Sequence, residues 1–300
     1  MSRYLGGHRD HHPLGPRAVP QVRRRTNQAA ARPPRPRPHP PRTPPVPSPA
    51  GSSVGRRGAG GLPTPALLDI GCGPGNSTAV LRRRWPHARI TGIDNSPEML
   101  TTARTEGEPA ARYLLADART YDPAPHHPDL IVSNATLQWL NAGPGHDGEP
   151  QGHLALLPAW TAALRPGGTL AVQVPGNFDA PSHTLLAGLR RSPRWHRLLG
   201  DDATRPGIHT PAQYLDTLTG AHCTADVWET TYSTLLEGPD PVLEWVKGTA
   251  LRPVLSRLTD PADQAAFLAE YGALLREAYP AGPHGTVFPF RRVFAVAVRR

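Results

Sequence analysis

LLDIGCGPGNST, residues Leu67 to Thr78, decides how the rest of the chain is read. A short apolar run leads into three glycines at alternate positions, then into residues suited to a helix start. Gly71, Gly73 and Gly75 carry no Cβ, so a ligand can lie directly against the backbone there. A helix beginning near Asn76 leaves its first N–H groups free to meet an anion. A dinucleotide fingerprint would place a third glycine at the sixth position of the motif, where this chain has Asn76. The stretch therefore predicts a strand, a ligand-bearing turn and a helix, and argues against a dinucleotide oxidoreductase.

On either side of this turn, strand and helix patterns alternate. ALLDIG (66–71) is a buried strand, followed by a helix over 76–85. ARITGID (88–94) is a second strand. Ser96 then caps a helix with Pro97 at its first position, running to about Thr105. RYLLAD (112–117), DLIVSNA (129–135) and TLAVQVP (169–175) read as the third, fourth and fifth strands. Residues 118–128 form a polar loop, and residues 154–164 a helix that stops at Arg165-Pro166-Gly167-Gly168. This spacing predicts an open, mostly parallel α/β sheet. The second half is less regular. Residues 181–200 and 210–219 look helical, 223–233 alternates as a strand, 240–278 reads as two or three helices, and 287–298 as a final strand.

Charge is divided unevenly. Residues 1–65 hold 12 Arg and one acid, a net of +11; the remainder holds 33 − 12 = 21 basic and 24 − 1 = 23 acidic residues, a net of −2. The basic character thus belongs to a proline-rich tail (15 of the 38 prolines), expected to be extended and disordered over 1–64, with the folded domain over 65–300. The domain has no basic excess of the kind a nucleic-acid face requires. No apolar run is long enough to span a membrane, and the N-terminus lacks the apolar core of a secretory signal. Cys72 and Cys223 cannot make a disulfide framework. A cytoplasmic location, a monomer and no membrane or nucleic-acid partner are the expectations. His8, His11 and His12 cluster only by count, so no metal site is expected.

Asp94 ends the second strand, 94 − 75 = 19 residues past the last glycine of the turn. An acid at that place can accept from both hydroxyls of a ribose. Asp117 ends the third strand. Asn134 near the end of the fourth, with Gln138 and Trp139 just past it, should stand at the mouth of the same pocket.

The leading Asp69 and the D-x-G-x-G-x-G form resemble the first motif of the class I S-adenosylmethionine-dependent methyltransferases. Residues 67–300 resemble the trans-aconitate 2-methyltransferase family more closely still. The matching segments are WPHARITGIDNSPEML (85–100), SNATLQWL (133–140), LRPGGTLAVQVPGNFDAPSH (164–183), WETTYSTLLEGPDPVLEWVKGTALRPVL (228–255) and FPFRR (288–292). The resemblance implies a Rossmann-like seven-stranded sheet, last strand antiparallel, with helices on both faces and a helical insertion on the substrate side. It implies S-adenosylmethionine as cofactor and methyl transfer to a carboxylate of trans-aconitate, giving a monomethyl ester. On this basis Asp69, Gly71, Gly73, Gly75, Asn76, Asp94, Asp117 and Asn134 are expected to bind the cofactor. Asp69 would suit the methionyl ammonium and Asp117 the adenine amino group. Gln138, Trp139, His183, Lys247, Arg252, Arg291 and Arg292 are expected to bind the small polycarboxylate. No residue is expected to act as a general base, because a carboxylate is already ionised and nucleophilic at pH 7.

The chain departs from that family at its start. The resemblance implies a W-D-P-x-x-Y-L segment and an amphipathic lid helix before the first strand, of which only Tyr4-Leu5 is an echo. Loss of the lid through a shifted frame or a misplaced start is the expectation this raises. Two alternatives remain beside the leading reading: a methyltransferase for another small acceptor, and a lid-less cofactor-binding protein without activity.

Overall fold

The structure, a computed structural model, describes residues 64–140, 152–200 and 208–300, all within the unit Gly61–Arg300. The basic tail, with Tyr4-Leu5 and the cluster of His8, His11 and His12, lies outside the described residues.

β1 (Ala66–Ile70) is buried along its whole length, as an apolar run between two layers must be. It is followed by α1 (Asn76–Arg84), β2 (Arg89–Asp94), α2 (Pro97–Glu106), β3 (Arg112–Leu115), β4 (Leu130–Asn134), α3 (Leu157–Ala163) and β5 (Thr169–Pro175). α2 begins as its sequence dictates: the Ser96 hydroxyl accepts from the Met99 N–H at 3.2 Å, with Pro97 at the first helical position. The second half runs α4 (Pro181–Arg190), α5 (Pro193–Leu199), α6 (Pro211–Gly220), β6 (Cys223–Leu236), α7 (Pro241–Lys247), α8 (Arg252–Leu255), α9 (Pro261–Ala278), a two-residue β7 (Ala281–Gly282) and β8 (Gly285–Arg299).

The strands form one sheet in the order β3-β2-β1-β4-β5-β8-β6, with β7 paired to β8. β1 to β5 are parallel, and β8 runs antiparallel to both of its long neighbours. The expected seven strands are this path, and the short β7 is an addition to it. Helices cover both faces. Leu68, Ile70 and Ile131 pack in one core with Leu157 and Trp160 of α3 and Tyr214 and Leu218 of α6. On the other face Leu67, Ile90 and Leu130 meet Leu81 of α1, and Tyr113 meets Leu100 and Ala103 of α2.

A second core lies among α4, α5, α7, α8 and α9, around Trp195, Phe267, Tyr271 and Phe288. This is the helical insertion anticipated from the sequence. Three local readings differ from the outcome. Residues 181–200 are two helices, because Pro193 turns its predecessor Ser192 into an extended residue. The strand at 223 continues to Leu236, held in unbroken register with β8. The third strand stops at Leu115, so Asp117 stands in the following turn, where its carbonyl accepts from Thr120 and Tyr121.

Candidate cofactor and substrate site

The strand order reverses at β1, whose neighbours β2 and β4 are reached by crossovers in opposite directions. Crevices form beyond the carboxyl ends of strands at such a point. A cleft of about 540 Å³ opens there, between the glycine turn, the ends of β2 and β4, the turn after β3, and α8.

The turn is shaped by its glycines. Gly71 has φ +74°, and a Cβ on it would stand 2.0 Å from the Thr136 hydroxyl oxygen. Gly73, at φ +53°, has open space where its Cβ would be, so the cleft reaches the bare backbone. The N–H groups of Gly71 and Cys72 donate to the Ile93 carbonyl at 2.8 and 2.9 Å and tie the turn to β2. Gly75 has φ +90° and does not reach the cleft; its open side faces the Tyr113 hydroxyl.

Three acids stand at different depths. Asp94 lines the cleft, and each of its oxygens accepts one backbone N–H at 2.9 Å, from Gly73 and from Ser96. Two such bonds fix the carboxylate in place, with lone pairs left for a ligand. Asp117 also lines the cleft, but the Arg119 guanidinium grips it through Nε and Nη2, at 2.6 to 3.1 Å. Asp69 is fully buried and does not reach the cleft wall. Its Oδ2 accepts from the Ser77 and Thr78 hydroxyls at 2.7 and 2.6 Å, which fastens β1 to the first turn of α1. Its Oδ1 is buried without a hydrogen-bond partner. Burial raises the Asp69 pKa; the two hydroxyls oppose this and the Asp94 charge adds to it. Burial together with these two acids pushes the Cys72 thiol up to about 12, so the sulfur at the cleft wall is a neutral thiol.

Asn76 and Asn134 line the cleft as expected from their positions. Of the seven residues expected to hold substrate, Trp139 and Arg252 do so too; Trp139 is half exposed, and Arg252 opens α8. The other five are elsewhere. Gln138 is buried, its amide N–H donating to the Ala135 carbonyl at 2.6 Å and its Oε1 unpartnered. His183 lies edge-on to Phe178 and bonds Ser182, and burial lowers its pKa. Lys247, expected to hold substrate, instead pairs with Glu244 at 2.5 Å on α7. Arg291 pairs with Glu229 at 2.6 Å, and Arg292 donates to Gln173 at 2.9 Å while lying over the Phe290 ring. Sequence reasoning missed Arg119, Thr136 and Met99, all at the cleft. For Arg119 a signal existed: an arginine two residues after an acid in a tight turn can fold back on that carboxylate.

The cleft fits S-adenosylmethionine by its chemistry. It offers an ordered acid for ribose hydroxyls, exposed backbone at Gly73, the apolar side chains of Met99 and Leu140 for a base, and an orphaned carboxylate oxygen behind the turn for an ammonium. Together the sheet and the cleft define a class, the Rossmann-like methyltransferases that use this cofactor. A family model described as a methyltransferase domain matches residues 67–168, the segment that builds all of the cleft except Arg252. The chain belongs to the trans-aconitate 2-methyltransferase family. It is 58% identical over 237 residues to the trans-aconitate 2-methyltransferase of Streptomyces avermitilis, covering 77% of this chain and 84% of that one. The enzymes of that name from Streptomyces coelicolor and a Mycobacterium species are 56% and 50% identical, over 78% and 77% of this chain and 76% and 86% of theirs. Among the described residues no helix is long and apolar enough to cross a membrane.

Proposed function

We propose that this chain transfers a methyl group from S-adenosylmethionine to a carboxylate of trans-aconitate, giving a monomethyl ester. Family membership at 58% identity carries the reading, and it extends beyond the cofactor half to most of the described chain. When bound, the cofactor supplies an electrophilic methyl on a sulfonium.

The chain's own part is to bind, orient and exclude water. Gly71 and Gly73 let the ligand lie on backbone, with Gly75 shaping the turn and Asn76 heading the helix behind it. Asp94 accepts from the ribose hydroxyls. Asp117, braced by Arg119, faces the adenine edge, and Asn134 borders the methyl end. Asp69 meets the methionyl ammonium through its unpartnered oxygen. The acceptor carboxylate has a pKa of about 4 and is ionised at pH 7, so no base is required. Holding it in line with the methyl contributes on the order of 7–11 kcal/mol.

Arg252 is the cation assigned to a carboxylate that does not react, with Trp139 as the adjoining wall. Its place on the cleft supports this. The engagements of Lys247, Arg291 and Arg292 with Glu244, Glu229 and Gln173 support giving them, with His183 and Gln138, the task of shaping the cap and the strand ends. On the same reading the chain works as a cytoplasmic monomer on a freely diffusing acid.

The test is incubation with labelled S-adenosylmethionine and a panel of di- and tricarboxylic acids, products identified by mass. A base-labile monomethyl ester of trans-aconitate is expected. Cofactor binding without an ester on any acid would overturn the reading in favour of a silent binding protein. A labelled product stable to base would move it to another acceptor chemistry.

A further inference from the structure

A second cleft, of about 400 Å³, opens at the opposite end of the strands from the cofactor cleft. Its walls are Ala66 at the start of β1, Arg89 and Thr91 at the start of β2, Arg112 at the start of β3, and Pro125 and His126 of the turn before β4. Strand register sets the two arginines together. Arg112 stands opposite Thr91 on the neighbouring strand, and Arg89 precedes Thr91 by two residues, so all three side chains share one face of the sheet.

Both arginines are exposed, and neither has a hydrogen-bond or ion-pair partner for its side chain among the described residues. The carboxylates bonded to the cleft wall are engaged by other groups: Asp129 accepts from the Ala66 N–H at 2.8 Å and pairs with Arg165 at 3.4 Å, and Glu108 accepts from the Ala110 N–H at 3.1 Å and pairs with Arg82 at 3.5 Å. His126 is bonded to the Tyr121 hydroxyl, and burial and the Arg112 charge both hold its pKa down. Asp122 is the acid felt at this turn, and its carboxylate already accepts from the Ala124 N–H at 2.9 Å. Two like charges brought together on adjacent strands oppose sheet formation slightly, so packing alone gives no reason for the pair. A guanidinium presents a fork of donors that matches phosphate and carboxylate geometry, and two forks match a ligand with two or more negative charges. The volume falls in the range of small-ligand pockets.

We propose that this cleft is a second ligand site, holding a small oxyanion of two or more negative charges on Arg89 and Arg112. Phosphate-borne and carboxylate-borne charge share the required chemistry. The site is separate from the methyl-transfer cleft: β2 and β3 begin here and end next to Asp94 and Asp117.

The test uses the full chain and two probes, inorganic pyrophosphate and citrate, titrated calorimetrically into the wild type and an Arg89→Ala/Arg112→Ala double variant. The basic tail gives both proteins the same diffuse, salt-sensitive background. One equivalent of at least one probe is expected to bind the wild type, and about tenfold or more weaker to the double variant, as removal of charged hydrogen bonds implies. Melting temperature and S-adenosylhomocysteine affinity should match in the two proteins. Pyrophosphate alone binding would identify a phosphate-bearing ligand, and citrate alone a polycarboxylate. Binding that survives the double substitution, as for citrate held in the methyl-transfer cleft, would overturn the proposal; so would the absence of binding by either probe. If the double variant melts lower than the wild type, Arg89→Gln and Arg112→Gln singly carry the test, each expected to weaken binding about threefold or more.

Discussion

The strand ends of β1 to β4 and the part of the chain from β5 onward handle charge in opposite ways. In the first region, charged and polar groups are fixed by backbone at the edge of an open cleft: Asp94 by two N–H groups, the glycine turn by the Ile93 carbonyl. In the second, the cations are consumed by neighbours: Lys247 by Glu244, Arg291 by Glu229, Arg292 by Gln173. Arg252 alone among the expected substrate cations comes to the cleft. A ligand site needs groups that the fold orients but does not use up. The first region supplies several of these, and the second supplies one at the end of a short helix.

The largest effect that sharpens this contrast is expected at Gly71. Alanine there must take a left-handed conformation, at about 1–2 kcal/mol, and must push Thr136 aside. Overpacking of that kind costs about 1–3 kcal/mol more. Gly71→Ala should therefore melt well below the wild type and lose measurable cofactor binding, while Gly73→Ala, which bears the left-handed cost at φ +53° but faces open space, should melt between the two. Thermal melts of the pair check this; equal melts would mean that the turn is not held as described. Next comes Asp94→Asn. The charge leaves, one backbone N–H loses its acceptor, and the acceptor for two ribose hydroxyls is weakened. About a hundredfold loss of S-adenosylhomocysteine affinity is expected, from charged hydrogen bonds of roughly 1.5–3 kcal/mol each. Calorimetric titration reads it.

Arg252→Met tests the second region. It should raise the KM for trans-aconitate by roughly ten- to a hundredfold, with cofactor affinity unchanged, because a charged hydrogen bond to a bound carboxylate is lost. Lys247→Met breaks an exposed ion pair within α7 and should change KM less than about threefold. Should the Lys247 variant have the greater effect, the contrast between the two regions fails.

How much could be read in the sequence follows the same division. The parallel α/β half and its glycine turn follow from local rules: apolar runs between two layers, glycine where φ is positive, and ligand groups at carboxyl strand ends; the antiparallel last strand was implied only by the family resemblance. Those rules singled out Asp94, Asp117, Asn76 and Asn134, and all four line one cleft. The second region is built from long-range pairings, and whether an arginine there is free depends on residues such as Glu229 on β6, 62 positions away from Arg291 on β8. Nothing in FPFRR announces that partner. The depth of Asp69 was hidden for a related reason. A carboxylate in D-x-G-x-G-x-G reads as exposed to ligand, and only the Ser77 and Thr78 hydroxyls behind it reveal that it also fastens the turn.

Asp69 gives the most discriminating effect, because stability and binding should move in opposite directions. Its folded pKa is raised above the ordinary carboxylate value, so its effect on stability is most favourable below pH 4 and is lost as pH rises through the folded pKa. Above that folded pKa the ionised, half-satisfied carboxylate is a burden on the fold. Asp69→Asn keeps an acceptor for the two hydroxyls and removes the charge. The variant should melt at or slightly above the wild-type temperature at pH 7, with the advantage shrinking toward pH 4. A bound ammonium, in contrast, draws its attraction from that same charge, so S-adenosylhomocysteine should bind about tenfold more weakly to the variant. Melts from pH 4 to 8, paired with titrations at pH 7, separate the two roles. Weaker binding with a lowered melt would make Asp69 a structural clamp alone. Unchanged binding would remove it from the cofactor site and leave Asp94 as the acid on which the cleft depends.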